Sequence, residues 1–403
     1  MFKKTAKYVI ACVCAALVLS VGVSANDSLS VADYLTAPDW ATGESAVIAD
    51  ASALNLGGKS IILMEESTGR VLYERDADLQ MPPASITKIM TLLLTMEAME
   101  NGDFSLNTTV TCSAHAASMG GAQIWLEEGE KMSVDDLIKA VCIKSANDAA
   151  VALAELVGGS EDGFVVMMNE RAAELKMTKT TFKNASGLDA EGHLSTARDI
   201  AAMSRALMRH DKIFEYTKIW MDTLRGGETE LVNTNKLIRF YKGATGLKTG
   251  TTDGAGSCLS ATAERDGLSL IGVVMGFEDS KSRNAAAKKL LDFGFANWKI
   301  VTPEVSEDIP ESLPVKKGMS ESVLLEAGEI PSVLIEKSSE GKITHTLTLP
   351  ENLTAPVEKG QTVGTAEIYV DGKPYASYEI KAAQGAEKMT FMRAFAKILT
   401  AVF

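Results

Sequence analysis

Three short stretches of this 403-residue chain combine side chains that could carry out chemistry together. They are an SxxK at residues 85–88, an SxN at residues 145–147 and a KTG at residues 248–250. Each pattern alone is a weak signal, because short patterns of this kind occur by chance in a chain of this length. Their order, their surroundings and their compatible chemistry make the combination informative.

The SxxK stretch predicts a nucleophile with its own base. Pro82 and Pro83, followed by an apolar helical pattern, place Ser85 at or near a helix N-terminus, which favours a developing negative charge. The three-residue spacing places Lys88 on the same helical face, within reach of the Ser85 hydroxyl. A serine hydroxyl is a poor nucleophile until a base takes its proton. A neutral lysine can be that base, and burial beside a second cation, Lys248, would lower its pKa.

The other two stretches supply the remaining parts of an acyl-transfer site. Ser145 offers a hydroxyl that can relay a proton to a leaving amine, and Asn147 offers an amide to a substrate peptide. The predicted edge strand at residues 248–251 can pair with an extended substrate backbone. The N–H groups of Ser85 and Thr251 are expected to form an oxyanion hole. The residues alone therefore predict acyl transfer from a serine.

Hydrophobic periodicity predicts the elements that must position these residues. Two strands joined by Ser67-Thr68-Gly69 form a predicted hairpin, and three more strands follow a mostly helical middle. Because strands from both ends bracket the helices, we expect an α+β catalytic domain with one antiparallel sheet covered by helices. The predicted strands are residues 59–65, 70–74, 246–252, 256–264 and 268–277, and the main predicted helices are residues 85–100, 134–154, 164–175, 196–208 and 281–298.

A small all-β domain is predicted after the catalytic domain. Residues 303–314 carry three prolines and four acidic residues, which is typical of a linker. Short alternating runs follow, and Asp371-Gly372 predicts a hairpin turn between the last two. The predicted divisions are a signal peptide at 1–25, a lead-in segment at 26–54, the catalytic domain at 55–300, the linker at 301–313, the β-rich domain at 314–384 and a terminal amphipathic helix at 386–403.

Composition excludes several classes of protein. There are 40 basic and 53 acidic residues, and the net charge of −13 argues against a nucleic-acid binder. An apolar content of 46% argues against both a disordered chain and a polytopic membrane protein. The four histidines are scattered without metal-ligand spacing, so a His-built metal site is not expected. The motifs imply neither a metal nor an organic cofactor.

Both termini carry segments that predict export to the membrane surface. Lys3, Lys4 and Lys7 precede an apolar run and the small residues Val23-Ser24-Ala25, the parts of a secretory signal peptide cleaved after Ala25. A membrane-anchoring helix is the alternative for this segment. Residues 386–403 predict an amphipathic helix with a basic polar face, suited either to anionic lipid or to docking on its own domain. The body is therefore expected on the extracytoplasmic side of the cell membrane.

The cysteines do not predict a disulfide framework. Cys12 and Cys14 would leave with the signal peptide, and Cys112, Cys142 and Cys258 would remain. An exported chain with so few cysteines is not a disulfide scaffold. The three are expected to be packed, unreactive thiols.

At these motifs the chain resembles the serine penicillin-binding-protein and β-lactamase superfamily, and more closely the low-molecular-weight D-alanyl-D-alanine carboxypeptidases of the S11 type. The β module and the terminal helix are similar to that family's appended domain and anchor. The resemblance therefore covers nearly the whole mature chain. It rests on PPASITKIMT, SANDAA, STARDIAAM, LVNTNKLI, GLKTGTT and APVEKGQTVG as they stand here.

The resemblance implies a fold of the β-lactamase and penicillin-binding transpeptidase type, and a role for each motif. Ser85 would form the acyl ester with Lys88 as its general base, releasing terminal D-alanine from a peptidoglycan stem peptide, and β-lactams would acylate the same serine. Ser145 and Asn147 form the second motif, in which Ala146 stands where many relatives carry Gly. Lys248 and Thr249 would bind the substrate carboxylate, with Arg239 and Arg283 as further candidate contacts. The substrate-binding positions are Lys248, Thr249, Gly250 and Thr251.

Other readings of the same motifs remain open. A class A β-lactamase needs a glutamate-bearing loop, and the nearest candidates, Glu170 and Glu174, lie in a helical pattern. A D,D-endopeptidase or transpeptidase differs only in what is cleaved or what accepts the acyl group. A retired, wall-binding protein is disfavoured, because the serine and both lysines are present. His193 is expected to be structural.

Overall fold

The computed structural model describes residues 54–339 and 341–392. The predicted signal peptide, nearly all of the lead-in segment and residues 393–403 of the predicted terminal helix lie outside the described residues. We number the strands and helices in chain order within the described part.

Antiparallel pairing organises the strands of the larger, N-terminal part. A five-stranded sheet has the order β2-β1-β9-β8-β7, so the N-terminal hairpin pairs with the last three strands, as predicted. Strands β3 with β4 and β5 with β6 form separate two-stranded ribbons. The strands are β1 (Ser60–Glu65), β2 (Val71–Arg75), β3 (Thr109–Thr111), β4 (Lys131–Ser133), β5 (Met221–Leu224), β6 (Thr229–Val232), β7 (Ala244–Thr252), β8 (Gly256–Arg265) and β9 (Leu268–Phe277).

Helices cover both faces of this sheet. Most of them begin at a polar cap, as where the Asp279 carboxylate accepts the Ser282 N–H at 2.8 Å. The helices are α1 (Lys88–Glu100), α2 (Ala114–Ala117), α3 (Val134–Lys139), α4 (Asn147–Gly158), α5 (Glu161–Glu174), α6 (Ala197–Met208), α7 (Phe214–Thr217), α8 (Leu237–Phe240) and α9 (Ser280–Asn297). Short 3₁₀ helices span Ala84–Thr87, Asp211–Ile213, Arg225–Gly227 and Lys337–Ser339, and a π-helical turn spans Ala140–Lys144.

Side chains along β1 point alternately to the two faces of the sheet, and each face packs against its own apolar core. Ile62 belongs to the core under the helical middle of the chain, whereas Ile61 and Leu63 belong to the core under α9. This is the period of two expected for a strand buried on both faces. Helix α1 is buried almost all round, which makes it the centre of the helical layer and a rigid support for the residues at its start.

The predicted helix at residues 134–154 is wrong in one respect, since the structure breaks it at the SxN motif. Helix α3 tightens into the π-helical turn, Ser145 adopts a left-handed conformation with φ of 66°, and α4 begins at Asn147. In a continuous helix, residues two apart point to nearly opposite sides. The break turns Ser145 and Asn147 toward one cavity, and no Gly or Pro in the sequence marked it.

A small β domain follows α9, as predicted. Its six-stranded sheet has the order β14-β16-β17-β12-β11-β15, and β10 leaves α9 to pair with β13. Asp371 and Gly372 both have positive φ, as the predicted hairpin turn requires. The strands are β10 (Trp298–Val301), β11 (Ser312–Lys316), β12 (Ser322–Ala327), β13 (Val333–Glu336), β14 (Ile343–Thr348), β15 (Leu353–Thr354), β16 (Thr362–Val370) and β17 (Lys373–Ala382). The domain boundaries stay predictions.

The chain leaves the β domain through two bridged positions, and residues 391 and 392 at the end of the described part are helical. Ala386 and Lys388 form β-bridges with Val357 and Gly318, so the helix predicted from residue 386 is not helical at these two positions. Beyond them Phe391 is 83% exposed and Met392 is 72% exposed. Within the described ranges, no helix is both long enough and apolar enough to cross a membrane.

Candidate active site

Ser85 lies where the sequence places it, at the start of the central helix. It belongs to the 3₁₀ turn Ala84–Thr87, which follows Pro83 and runs directly into α1. Its side chain is partly exposed and lines a cavity of about 240 Å³. The hydroxyl therefore combines a fixed position on a buried helix with access from outside.

Lys88 is fully buried one turn further on and points back at Ser85. Its Nζ lies 3.0 Å from Ser85 Oγ, 2.5 Å from Asn147 Oδ1 and 2.5 Å from the Ser186 carbonyl oxygen. Burial, and then the charge of Lys248, lower the pKa of Lys88 well below its usual value, against a raising effect of Asp148. A neutral amine donates to the two carbonyl oxygens and turns its lone pair to the Ser85 O–H. The geometry is that of a base aimed at one hydroxyl.

Lys248 is the second buried cation, on β7. Its Nζ donates to Ser145 Oγ at 2.8 Å and to the Thr249 carbonyl oxygen at 3.0 Å. Burial lowers the pKa of Lys248 to about 7; Cys142 raises it in part and the charge of Arg283 lowers it further. Because Ser145 accepts from Lys248, its own proton is free to be donated into the cavity. The two hydroxyls of the predicted site are thus each held by one lysine.

Asn147 has a contact that the sequence did not predict. Its Oδ1 accepts from Lys88, and its Nδ2 donates to the Gly120 carbonyl oxygen at 2.6 Å, so the amide orients the base. The neighbouring Asp148 carboxylate accepts the Ile124 N–H at 3.1 Å and the Leu126 N–H at 3.0 Å. The motif therefore also fixes the loop that forms one wall of the cavity.

Gly250 explains why the third motif contains a glycine. A Cβ at this position would lie 3.0 Å from the Pro83 carbonyl oxygen and 3.1 Å from the Ile86 nitrogen. Only glycine lets β7 lie this close to the turn that carries Ser85. Thr249 and Thr251 line the same cavity, and Thr249 Oγ1 lies 2.7 Å from Thr234 Oγ1.

The structure places the two candidate arginines differently. Arg283 is buried and lines the cavity, whereas Arg239 lies over the rings of Trp220 and Phe240, 5.7 and 5.6 Å from their centres. Arg239 is not among the described residues that line the cavity. Residues that sequence reasoning did not single out complete the lining: Ala122, Lys144, Thr234, Lys236, Ser280 and Asn284. Of these, Thr234 and Lys236 lie inside the LVNTNKLI stretch, which was the available signal.

The cavity is cationic. Among the described residues that line it there are three basic side chains and no Asp or Glu. Glu170 and Glu174 lie outside it on α5, where Glu174 pairs with Arg171 at 2.7 Å. No group of His, Cys, Asp or Glu in the described part is arranged to hold a metal ion. The arrangement suits a ligand that carries a carboxylate.

His193 and the cysteines lie behind the site. The Lys183 N–H donates to His193 Nδ1, so Nε2 carries the proton and donates to Thr87 Oγ1 at 2.9 Å. Burial lowers the pKa of His193 to about 4, which keeps the ring neutral and the contact structural. Cys112, Cys142 and Cys258 are buried free thiols, and burial raises the pKa of each. They are packed as expected, and a raised pKa disfavours the reactive thiolate.

Two family models match this chain. A family model described as D-alanyl-D-alanine carboxypeptidase matches residues 47–279, and a model of the penicillin-binding protein 5 C-terminal domain matches residues 301–388. The D-alanyl-D-alanine carboxypeptidase DacF of Bacillus subtilis (strain 168) is 40% identical over 338 residues, covering 83% of this chain and 87% of its own. The DacC enzyme of Escherichia coli (strain K12) is 38% identical over 349 residues, covering 84% and 86%.

Solved structures give the same picture. Penicillin-binding protein 5 from Haemophilus influenzae superposes with a TM-score of 0.68 at 30% identity, covering 83% of this chain and 98% of that one. Penicillin-binding protein D2 from Listeria monocytogenes, in its ampicillin-bound form, superposes with a TM-score of 0.56 at 35% identity, covering 60% of this chain and 99% of that one.

Proposed function

The chain belongs to the D-alanyl-D-alanine carboxypeptidase family, and from this membership we propose that Ser85 removes the terminal D-alanine from peptidoglycan stem pentapeptides. It is a serine D-Ala–D-Ala carboxypeptidase that binds penicillin. Ser85 Oγ attacks the carbonyl carbon of the scissile bond, the terminal D-alanine leaves as the amine, and water hydrolyses the acyl ester. A β-lactam acylates the same hydroxyl through its ring amide.

The contact between Lys88 Nζ and Ser85 Oγ, at 3.0 Å, carries this proposal. Lys88 is fully buried beside a second cation, so a large fraction of it can be neutral when substrate binds. It then takes the Ser85 proton as the hydroxyl attacks. Asn147 and the Ser186 carbonyl hold the amine in that orientation.

The remaining motif residues protonate the leaving amine, stabilise the oxyanion and bind the substrate carboxylate. Ser145, held by Lys248, relays a proton to the leaving amine, and the N–H groups of Ser85 and Thr251 stabilise the oxyanion. The substrate carboxylate binds Thr249 and Lys248, and Arg283 contributes its charge from the same cavity. The edge strand β7 pairs with the substrate backbone.

The enzyme works on the extracytoplasmic face of the membrane in this proposal. The signal-peptide pattern at residues 1–25 and the amphipathic pattern at residues 386–403 support export and surface anchoring. A peptidoglycan substrate lies on that side of the membrane.

The Ser85→Ala variant tests the proposal. The measurement is its rate of D-alanine release from a stem pentapeptide. The exchange removes one partly exposed hydroxyl that caps no helix, so the fold should persist while D-alanine release falls to background. Thermal unfolding of both proteins controls for stability. D-alanine release by a folded Ser85→Ala variant would remove Ser85 from the proposal.

A further inference from the structure

Thr234 places a second hydroxyl beside that of Thr249 in the catalytic cavity. Both residues line the cavity, and Thr249 Oγ1 donates to Thr234 Oγ1 at 2.7 Å. Among the described residues, neither side-chain oxygen has another hydrogen-bond partner. Because the proton of a hydroxyl rotates to suit its surroundings, both O–H groups can turn toward a ligand that enters the cavity.

The turn that carries Thr234 is fixed to the elements that carry the motifs. Asn235 Nδ2 donates to the Gly246 carbonyl oxygen at 2.8 Å, which joins the turn to β7 just before the KTG motif. The Thr234 N–H donates to the Ile143 carbonyl oxygen at 3.1 Å, in the π-helical turn that precedes the SxN motif. Asn233 and Asn235 are buried, whereas Thr234 between them is half-buried. The turn therefore presents one side chain, that of Thr234, to the cavity.

A carboxylate that reaches Thr249 also reaches Thr234. The proposed function places the terminal carboxylate of the substrate at Lys248 and Thr249, and the Thr234 oxygen lies 2.7 Å from that of Thr249. An ionised carboxylate has two oxygens and accepts several hydrogen bonds, so one threonine leaves acceptor positions open. Hydrogen bonds to an ionised acceptor are also stronger than the contact between two neutral hydroxyls that they would replace.

We infer that Thr234 is a second hydroxyl donor to the terminal carboxylate of the substrate, so that Thr234 and Thr249 bind this carboxylate as a pair. The inference deepens the proposed carboxypeptidase activity and rests on it. Thr234 takes no part in the acyl transfer. Its effect is on the recognition of a free carboxylate next to the scissile bond.

Two pentapeptides that differ only in a terminal carboxylate or a terminal carboxamide test the inference. The ratio of their kcat/KM values measures how strongly each variant recognises the carboxylate, and a general loss of activity cancels in the ratio. Thr234→Val keeps the branched shape of the side chain and removes the hydroxyl. We expect this variant to lower the ratio about tenfold, the size expected for one lost hydrogen bond to a charged group. Thr234→Ser keeps a hydroxyl and should keep the ratio close to the wild-type value.

A matched variant separates carboxylate recognition from an unspecific effect of the exchange. Thr178→Val makes the same change at an exposed position in the turn after α5 and should leave the ratio at the wild-type value. Thermal unfolding of each variant controls for stability.

One outcome would overturn the inference while the carboxypeptidase activity stands. If Thr234 only accepted the Thr249 proton, its removal would free Thr249 to donate to the substrate. The ratio in a folded Thr234→Val variant would then stay at the wild-type value or rise. A wild-type protein that releases no D-alanine from the carboxylate peptide would instead overturn the proposed activity, and the inference with it.

Discussion

At the scale of single residues, the proposed chemistry depends on two buried lysines, Lys88 and Lys248. Holding two full charges in this volume is costly, so burial and the charge of Lys248 lower the pKa of Lys88 well below its usual value. Burial also lowers the pKa of Lys248, to about 7. In the proposed mechanism, Lys88 is the base toward Ser85, and Lys248 holds Ser145 and the substrate carboxylate.

The pH dependence of acylation tests this coupling. The base must be neutral, so acylation by a chromogenic β-lactam should rise with pH through the lowered pKa of Lys88. Lys248→Gln removes the neighbouring charge, raises the pKa of Lys88 and should move this acidic limb to higher pH by about one unit. Lys242→Gln, an exposed change of the same type, should leave the limb in place. If the rise of the acylation rate with pH stays in place or moves to lower pH in Lys248→Gln, the proposed coupling between the two lysines is contradicted.

At the scale of elements, the site depends on how closely β7 approaches the turn before α1. That strands from both ends of the catalytic domain share one antiparallel sheet was predictable, because they bracket the helices and a turn joins β8 to β9. The break at Ser145 was not, because its left-handed conformation depends on contacts far away in sequence, such as Lys248. Lys144 was also missed, since nothing in its sequence distinguishes it from a surface charge, and Lys236 was missed although it lies in the LVNTNKLI stretch.

A methyl group at Gly250 should therefore damage the site more than the fold. Gly250→Ala places a Cβ 3.0 Å from the Pro83 carbonyl oxygen and pushes β7 from the Ser85 turn. Since small misplacements of reacting groups cost large factors in rate, acylation should slow by on the order of a hundredfold. Gly57→Ala is the matched control, because its Cβ meets only Phe277 at an ordinary 3.5 Å. Acylation at the wild-type rate in Gly250→Ala would show that this approach is not critical.

At the scale of the whole molecule, α9 separates the catalytic cavity from the β domain. Ser280, Arg283 and Asn284 at its start line the cavity, and β10 leaves its end to pair with β13. A helix of 18 residues spans about 27 Å, so β10, through which the β domain is joined, lies about that far from the lining residues at the start of α9. The division into two domains was predictable from composition and turn signals, but the pairing of β10 with β13 was not, because these strands are far apart in sequence.

This separation predicts that anchoring and turnover are independent. Deleting residues 391–403 removes the exposed Phe391 and Met392 and the amphipathic pattern beyond them, while the bridges of Ala386 and Lys388 remain. The shortened protein should move from the membrane fraction to the soluble fraction and keep its kcat/KM on a soluble pentapeptide. Retention at the membrane would contradict the proposed anchor.

The most direct test of the central claim is mass spectrometry of the full-length protein after brief exposure to penicillin, with D-alanine release from a pentapeptide followed in parallel. We predict one long-lived adduct on the peptide that contains Ser85, none in Ser85→Ala, and steady release of D-alanine by the wild-type protein. An adduct on another residue, or no adduct at all, would contradict the assignment of Ser85. An adduct that disappears within seconds, without D-alanine release, would mean a β-lactamase.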